Sequence, residues 1–287
     1  MKIKKLLILV LCFVLVASFL VSCKDEGEDK STPDATSHAS ELNIAGKTPE
    51  VALKMALEIL EMKKNYTLDM VANIEMTFGD QKVEMEMDIV SKYDLSDENN
   101  IKFSVATSLD TGYGETTSVI ACLDGYYYAM EVKAPVTKEQ AAEVYKDEGN
   151  FAEILDAELF NTINKTNNED GSVVITVSGL KAEGENEKLD SLYQMLGLYG
   201  PGTEIKDFNI TLKVNKDGII TELVIVIDVH MEEGEAGSFD EKVTLTGTFK
   251  DFGTTTVTAP EGADQYDEVE FSDIFGDFDF DDLSWED

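Results

Sequence analysis

Along residues 67–78 the chain alternates. Leu68, Met70, Ala72, Ile74, Met76 and Phe78 share one parity, and Thr67, Asp69, Asn73, Glu75 and Thr77 dominate the other. A period of two puts such residues on opposite faces of a strand. After a turn at Gly79-Asp80-Gln81 the pattern resumes, with Val83, Met85, Met87 and Ile89 set against Lys82, Glu84, Glu86 and Asp88. Two long runs with one wet and one apolar face predict an antiparallel hairpin. Ile101, Phe103, Val105, Thr107 and Leu109 alternate next, and residues 116–123 and 126–132 flank a tight Asp124-Gly125 turn. Further strands are expected at 172–178, at Phe208, Ile210, Leu212 and Val214, at 219–231 after Asn215-Lys216-Asp217-Gly218, and at Val243, Leu245, Gly247 and Phe249.

Elsewhere the period lengthens. Thr48-Pro49-Glu50 combines a capping residue, a first-turn proline and an early acid, which marks a helix start. Val51, Leu53, Met55, Ala56, Leu57, Ile59, Leu60 and Met62 follow at helical spacing up to Lys63-Lys64-Asn65. Residues 137–144, 151–160 and 185–196 also read as helices, the last broken by Gly197, Gly200, Pro201 and Gly202. The prediction is one α+β domain over residues 48–260, mainly antiparallel β. A helix, a long hairpin and more strands come twice, which suggests a pseudo-repeat without residue-level identity.

The two ends are different material. Lys2, Lys4 and Lys5 precede an apolar run over residues 6–21, shorter than the roughly 20 residues a spanning helix needs. That is a secretory pattern. Leu20-Val21-Ser22-Cys23 resembles the lipobox of bacterial lipoprotein signal peptides. The resemblance implies removal of residues 1–22, acylation of Cys23, and an extracytoplasmic chain held at the bacterial cell membrane by its lipid. The alternative, an uncleaved transmembrane anchor with an accidental cysteine, fits poorly with the charges that follow at once in Lys24 and Asp25. Residues 23–47 are polar, with Gly27, Pro33 and several Ser and Thr, and read as a flexible tether containing His38. Residues 261–287 mix acids with Phe271, Ile274, Phe275, Phe278, Phe280, Leu283 and Trp285. Such a tail is either solvated or docks its aromatics on its own domain or a partner.

Charge removes several functions. The chain has 58 Asp and Glu against 23 basic residues, all of them lysine, for a net charge of −35. Nucleic acid is excluded as a partner. Without arginine there is no planar fork for bidentate recognition of phosphate or carboxylate. Of three cysteines, Cys12 leaves with the signal, Cys23 is the acylation candidate, and Cys122 sits in an apolar strand as a buried thiol, so no internal disulfide is expected. No metal or cofactor is expected. Met85-Glu86-Met87 lacks the histidines of a thioether copper site, and Asp277, Asp279 and Asp281 lack the glycine and glutamate of a calcium loop. His230 shares its parity with Glu222 and Asp228 and is expected at the surface. No catalytic constellation emerges, and an enzyme is not expected.

The amphipathic first helix, the Met-rich hairpin, Leu123-Asp124-Gly125-Tyr126-Tyr127-Tyr128, and Phe249-Lys250-Asp251-Phe252-Gly253 running on to Val257-Thr258-Ala259-Pro260 resemble the LolA-like superfamily, including lipoproteins of the LppX and LprG kind. The resemblance implies a sheet curled into an open half-barrel, helices on its concave face, and a space between them that holds acyl chains. Cavity candidates are then Leu68, Met70, Ile74, Met76, Val83, Met85 and Met87, with Phe103 and Val105. Methionine is unbranched and polarizable and suits an adaptable apolar pocket, yet the same stripe could simply fill a core. Two functions remain open. One is a monomeric lipoprotein that binds, shields or carries a lipid or other apolar ligand. The other is a non-catalytic surface module that recognises a protein or wall polymer through its outer face or acidic tail.

Overall fold

The computed structural model describes residues 43–110, 115–149, 155, 157–181, 203–232 and 238–275. Cys12, Cys23, His38, the expected helix at 185–196 and the tail beyond residue 275 lie outside them.

Among the described residues, twelve strands form one sheet. The first half is a meander of β1 (Asn65–Phe78), β2 (Gln81–Asp94), β3 (Lys102–Asp110), β4 (Glu115–Leu123), β5 (Tyr126–Ala129) and β6 (Val132–Pro135). The second is a meander of β7 (Phe160–Asn167), β8 (Val173–Leu180), β9 (Thr203–Val214), β10 (Ile220–Glu232) and β11 (Ser238–Lys250), after which a short β12 (Asp267–Glu268) returns to β6. The order is β12-β6-β5-β4-β3-β2-β1-β11-β10-β9-β8-β7, so the two meanders join where β1 pairs with β11. All pairs are antiparallel except β12 on β6. β7 and β12 are the two edges, and the curled sheet stays unclosed as the expected half-barrel.

The apolar parity read from the sequence becomes the concave face. Leu68, Met70, Ala72, Ile74 and Met76 of β1 sit opposite Ser91, Ile89, Met87, Met85 and Val83 of β2 and opposite Phe249, Gly247, Leu245, Val243 and Glu241 of β11. Helix α1 (Pro49–Met62) lies on this face and buries Ala52, Leu53, Ala56, Ile59 and Leu60, one stripe at helical spacing. Each buried leucine or isoleucine there contributes roughly 2 kcal/mol. Thr48 is the N-cap, but its hydroxyl makes no capping bond; the start is fixed by Pro49 and by the Ala52 N–H donating to the Thr48 carbonyl. Helix α2 (Lys138–Gly149) has the full reciprocal cap: the Gln140 N–H donates to Thr137 Oγ1, and the Thr137 N–H donates to Gln140 Oε1. Its Tyr145 ring meets Phe103 and Tyr93.

Two expectations change, and one open alternative is narrowed for its described residues. Residues 126–132 form not one strand but the β5–β6 hairpin, because Met130 and Glu131 both take positive φ (50° and 62°). Paired positive φ values make a tight hairpin turn, and Met-Glu is not a pair that announces one. The helix expected at 151–160 is, in its described part, a 3₁₀ turn at Ala157–Leu159, and Phe160 already begins β7. Residues 261–275, half of the acidic and aromatic segment, take the docked form of the two considered. They cross the outer face, pair through β12, and end in helix α3 (Phe271–Phe275), whose Phe271 is buried against Tyr127.

The chain enters the domain at the β7 edge. Lys165 Nζ donates to the carbonyls of Ile44 (3.1 Å), Ala45 (2.7 Å) and Lys47, and Asn167 Nδ2 adds a bond to Ala45. One ammonium thereby satisfies three backbone acceptors and ties down the segment that leads back towards Cys23.

Candidate functional site: the far half of the concave face

The concave face differs along its length. At the end where α1 leads into β1, aromatic rings close it: Tyr66 lies 5.0 Å from Tyr93, 5.8 Å from Phe249 and 6.1 Å from Phe252 between centroids. This end and the inner faces of β8, β9 and β10 belong to the main core beneath α1 and α2. Towards the Gly79-Asp80 turn the packing separates into two small clusters. One comprises Ala72, Met87 and Ile89, with Val105 and Leu109 against them; the other comprises Ile74, Met76 and Val243, with Phe78, Val83 and Met85 against them. Met70 and Leu245 stay half-buried beside them.

The nine candidates therefore share one face but not one environment. Leu68 (3 % exposed) and Phe103 (1 %) are packed in the main core. Met70 lies at the boundary. Ile74, Met76, Val83, Met85, Met87 and Val105 belong to the far clusters, in which Phe78, Val83, Met85, Val105 and Leu109 remain half-buried. Gly247 makes the boundary possible, because a Cβ there would stand 3.1 Å from Met70 Cγ and 3.2 Å from Leu68 Cδ1. Its lack of a side chain gives the Met70 thioether a notch to occupy.

One residue on this face is not apolar. Glu241 of β11 sits opposite Met76 of β1 and Val229 of β10, and is 1 % exposed. Its Oε2 has no hydrogen-bond partner among the described residues. Burial alone pushes its carboxyl up to about 7 from an ordinary 4.5, because the low-dielectric surroundings penalise the charged form. In the sequence Phe239-Asp240-Glu241-Lys242 it looks like one more surface charge. Counting back by twos from Leu245 and Val243 would have placed it on the apolar face.

The outer face is built from ion pairs. Lys82 bridges Glu75 (2.8 Å) and Glu84 (2.7 Å), Lys250 pairs with Asp69, and Lys213 with Glu222. His230, half-buried on this face, bonds through Nδ1 to Asp240 (2.7 Å), which Lys206 also reaches. Lys206, and then His230, hold the Asp240 carboxyl below its usual range. Cys122 lies buried on β4, on the wall of a cleft of about 90 Å³ that Asn99, Ile101, Thr137 and Lys138 also line. That space is too small and too polar at its rim for an acyl chain. Among the described residues no group of three His, Cys, Asp or Glu side chains could hold a metal ion.

No family model matches the chain, and no curated protein does. Solved structures do. The crystal structure of LprF from Mycobacterium bovis is 14 % identical with a TM-score of 0.37, over 74 % of this chain and 96 % of that one. A DUF1329 family protein from Desulfovibrio piger is 9 % identical with a TM-score of 0.23, over 71 % and 92 %. A domain from Vibrio parahaemolyticus assigned to outer membrane lipoprotein sorting is 8 % identical with a TM-score of 0.23, over 75 % and 96 %. At overlaps this low the likenesses do not by themselves assign the chain to any of those proteins' families. Among the described residues no helix is long and apolar enough to cross a membrane.

Proposed function

We propose that this chain is a bacterial lipoprotein, anchored through an acylated Cys23 at the extracytoplasmic face of the membrane, that binds an apolar ligand such as a lipid on the far half of its concave face. The observation that carries the proposal is the split of that face. Aromatic rings and α1 fill the end near Tyr66, whereas the other end is lined by two separate clusters of aliphatic and methionine side chains with no described helix residue among their members, Ile74, Met76 and Met87 buried and Phe78, Val83 and Met85 half-buried. A face that served only as core would be packed alike along its length. Thioethers can change rotamer to admit chains of different shape, which branched side chains cannot. The tether at residues 23–47 would let the face reach lipid beside the membrane to which the protein is fixed.

The test is lipid extraction and native mass spectrometry on the secreted chain, residues 23–287 with Cys23→Ser so that no attached acyl group confuses the result. Copurified lipid that is lost when Met70 and Met85 are both changed to glutamate, in a protein that keeps its circular dichroism, supports the proposal. A bare polypeptide mass, with no uptake of added lipid, refutes it.

A further inference from the structure

Glu241 is unusual for its place. A glutamate 1 % exposed on the apolar side of a strand, with one oxygen unpartnered among the described residues, costs stability and gives nothing back in a protein whose only need is a packed core. Its neighbours in register, Met76 and Val229, offer no hydrogen bond, and neither do Phe239 and Val243 two places away on its own strand. The position is also where the two environments of the concave face meet. Val229 belongs to the main core, whereas Met76 and Val243 belong to a far cluster. Phe78 and Phe239, stacked with centroids 5.0 Å apart, stand beyond it towards the Gly79-Asp80 turn. Across the strand Lys206 is committed to Asp240 and does not serve Glu241.

We infer that Glu241 is the polar recognition group of the apolar site, and that the ligand is an aliphatic amphiphile whose head is a hydrogen-bond donor, an ammonium or a hydroxyl, seated on the Glu241 carboxyl while its chain lies along Met76, Val243, Met85 and Met87. This rests on the apolar-ligand function proposed above and adds the chemistry of the head. An unpartnered carboxyl oxygen is an acceptor in either protonation state, so a donor head completes it. Once ionised, as at the alkaline pH of the test below, the carboxylate only accepts, so an anionic head is repelled and a purely accepting head leaves it unsatisfied. The large negative charge of the chain also favours a cationic or neutral head over an anionic one. An ammonium would make the stronger, charge-assisted bond, and a hydroxyl the weaker.

The experiment compares dodecylamine, 1-dodecanol and methyl laurate. Each is offered below its aqueous solubility limit, the amine also below its critical micelle concentration, by equilibrium dialysis at pH 8 to wild type, Glu241→Gln and Glu241→Leu in the secreted chain. At least one donor-headed probe binds wild type about tenfold or more tighter than methyl laurate, whose head only accepts. In Glu241→Leu that preference disappears and methyl laurate binds as well as before or better. Glu241→Gln separates the two heads: it loses the preference for the amine if charge is the basis and keeps the preference for the alcohol if hydrogen bonding suffices. Equal affinities for all three probes in wild type, or a preference that survives in Glu241→Leu, overturn the inference and leave the apolar site standing. Failure of every probe to bind any of the three proteins overturns both.

Discussion

Glu241→Gln has a signature in stability that needs no ligand. Burial raises the carboxyl from 4.5 to about 7, so between those values the folded chain keeps a proton that the unfolded chain has released. The group's contribution is therefore most favourable below pH 4.5, falls as pH rises, and is fully lost above about 7. The size of that loss is about 3 kcal/mol. Glutamine keeps the shape and never ionises, so at pH 8 the variant should be more stable relative to wild type by about 3 kcal/mol than it is at pH 4. Any fixed cost of the buried amide cancels in that difference. Met76, Ile74 and Phe78 on β1, Ile227, Val229 and Met231 on β10, and Phe239 and Val243 on β11 surround the position in register and none of them titrates. On the other side of the sheet the ionisable side chains of Asp240, Lys206, His230 and Lys242 are common to both proteins. So are Asp94, Asp170 and Asp240, whose depressed carboxyls lose stability as pH falls, the opposite sense. The assay is urea unfolding of the two secreted chains at half-unit steps from pH 4 to 8. A difference that stays constant within about 0.5 kcal/mol across that range would refute the assignment of Glu241 as a buried, unpaired acid.

Three further outcomes follow from the packing. Gly247→Leu should destabilise the fold by about 1–3 kcal/mol in urea unfolding, because the new Cβ meets Met70 Cγ at 3.1 Å and Leu68 Cδ1 at 3.2 Å; an unchanged midpoint would mean the notch is not filled. Phe271→Ala should lower stability by about 3 kcal/mol through loss of the Tyr127 contact, and a silent result would place α3 in solvent rather than on the core. Lys165→Met should remove the ammonium from three backbone carbonyls, leaving Ala45 with only the Asn167 amide, Ile44 with only the Lys47 N–H and Lys47 with neither, at about 1 kcal/mol, and make residues 43–47 more readily cut in limited proteolysis than in wild type; an unchanged cleavage rate there would contradict the clamp.

The legible parts of the fold are those where parity and period speak without help. β1 and β2 alternate over nearly their whole length, and their register carries the sequence stripe onto one face unbroken. β7 was invisible for the converse reason. Phe160-Asn161-Thr162-Ile163-Asn164-Lys165-Thr166-Asn167 is an edge strand with one fully buried side chain, Phe160, and its polar residues serve a local purpose that periodicity does not encode, such as the Lys165 clamp. The Met130-Glu131 turn was hidden because its backbone is imposed by pairing of β5 with β6 rather than by turn-forming residues. The apolar stripe lies on one face, but its division between the main core and the far clusters has no signal in the pattern. Whether Leu68 faces α1 or a far cluster depends on where the helix lands, a tertiary fact. Glu241 is hidden because its neighbours Asp240 and Lys242 make the strand look like charged surface, and only its parity with Val243 and Leu245 betrays its side.

Photo-crosslinking locates the ligand proposed for the far half of the concave face. A dodecyl chain carrying a terminal diazirine and an amine head is equilibrated with the secreted chain, irradiated, and its adducts mapped by peptide mass spectrometry. Adducts are expected in the peptides that carry Ile74, Met76, Val83, Met85, Met87 and Val243, reduced in the double variant Met70→Glu, Met85→Glu. Adducts confined to α1 and the aromatic end around Tyr66, or spread over the outer face with its ion pairs, would contradict that placement.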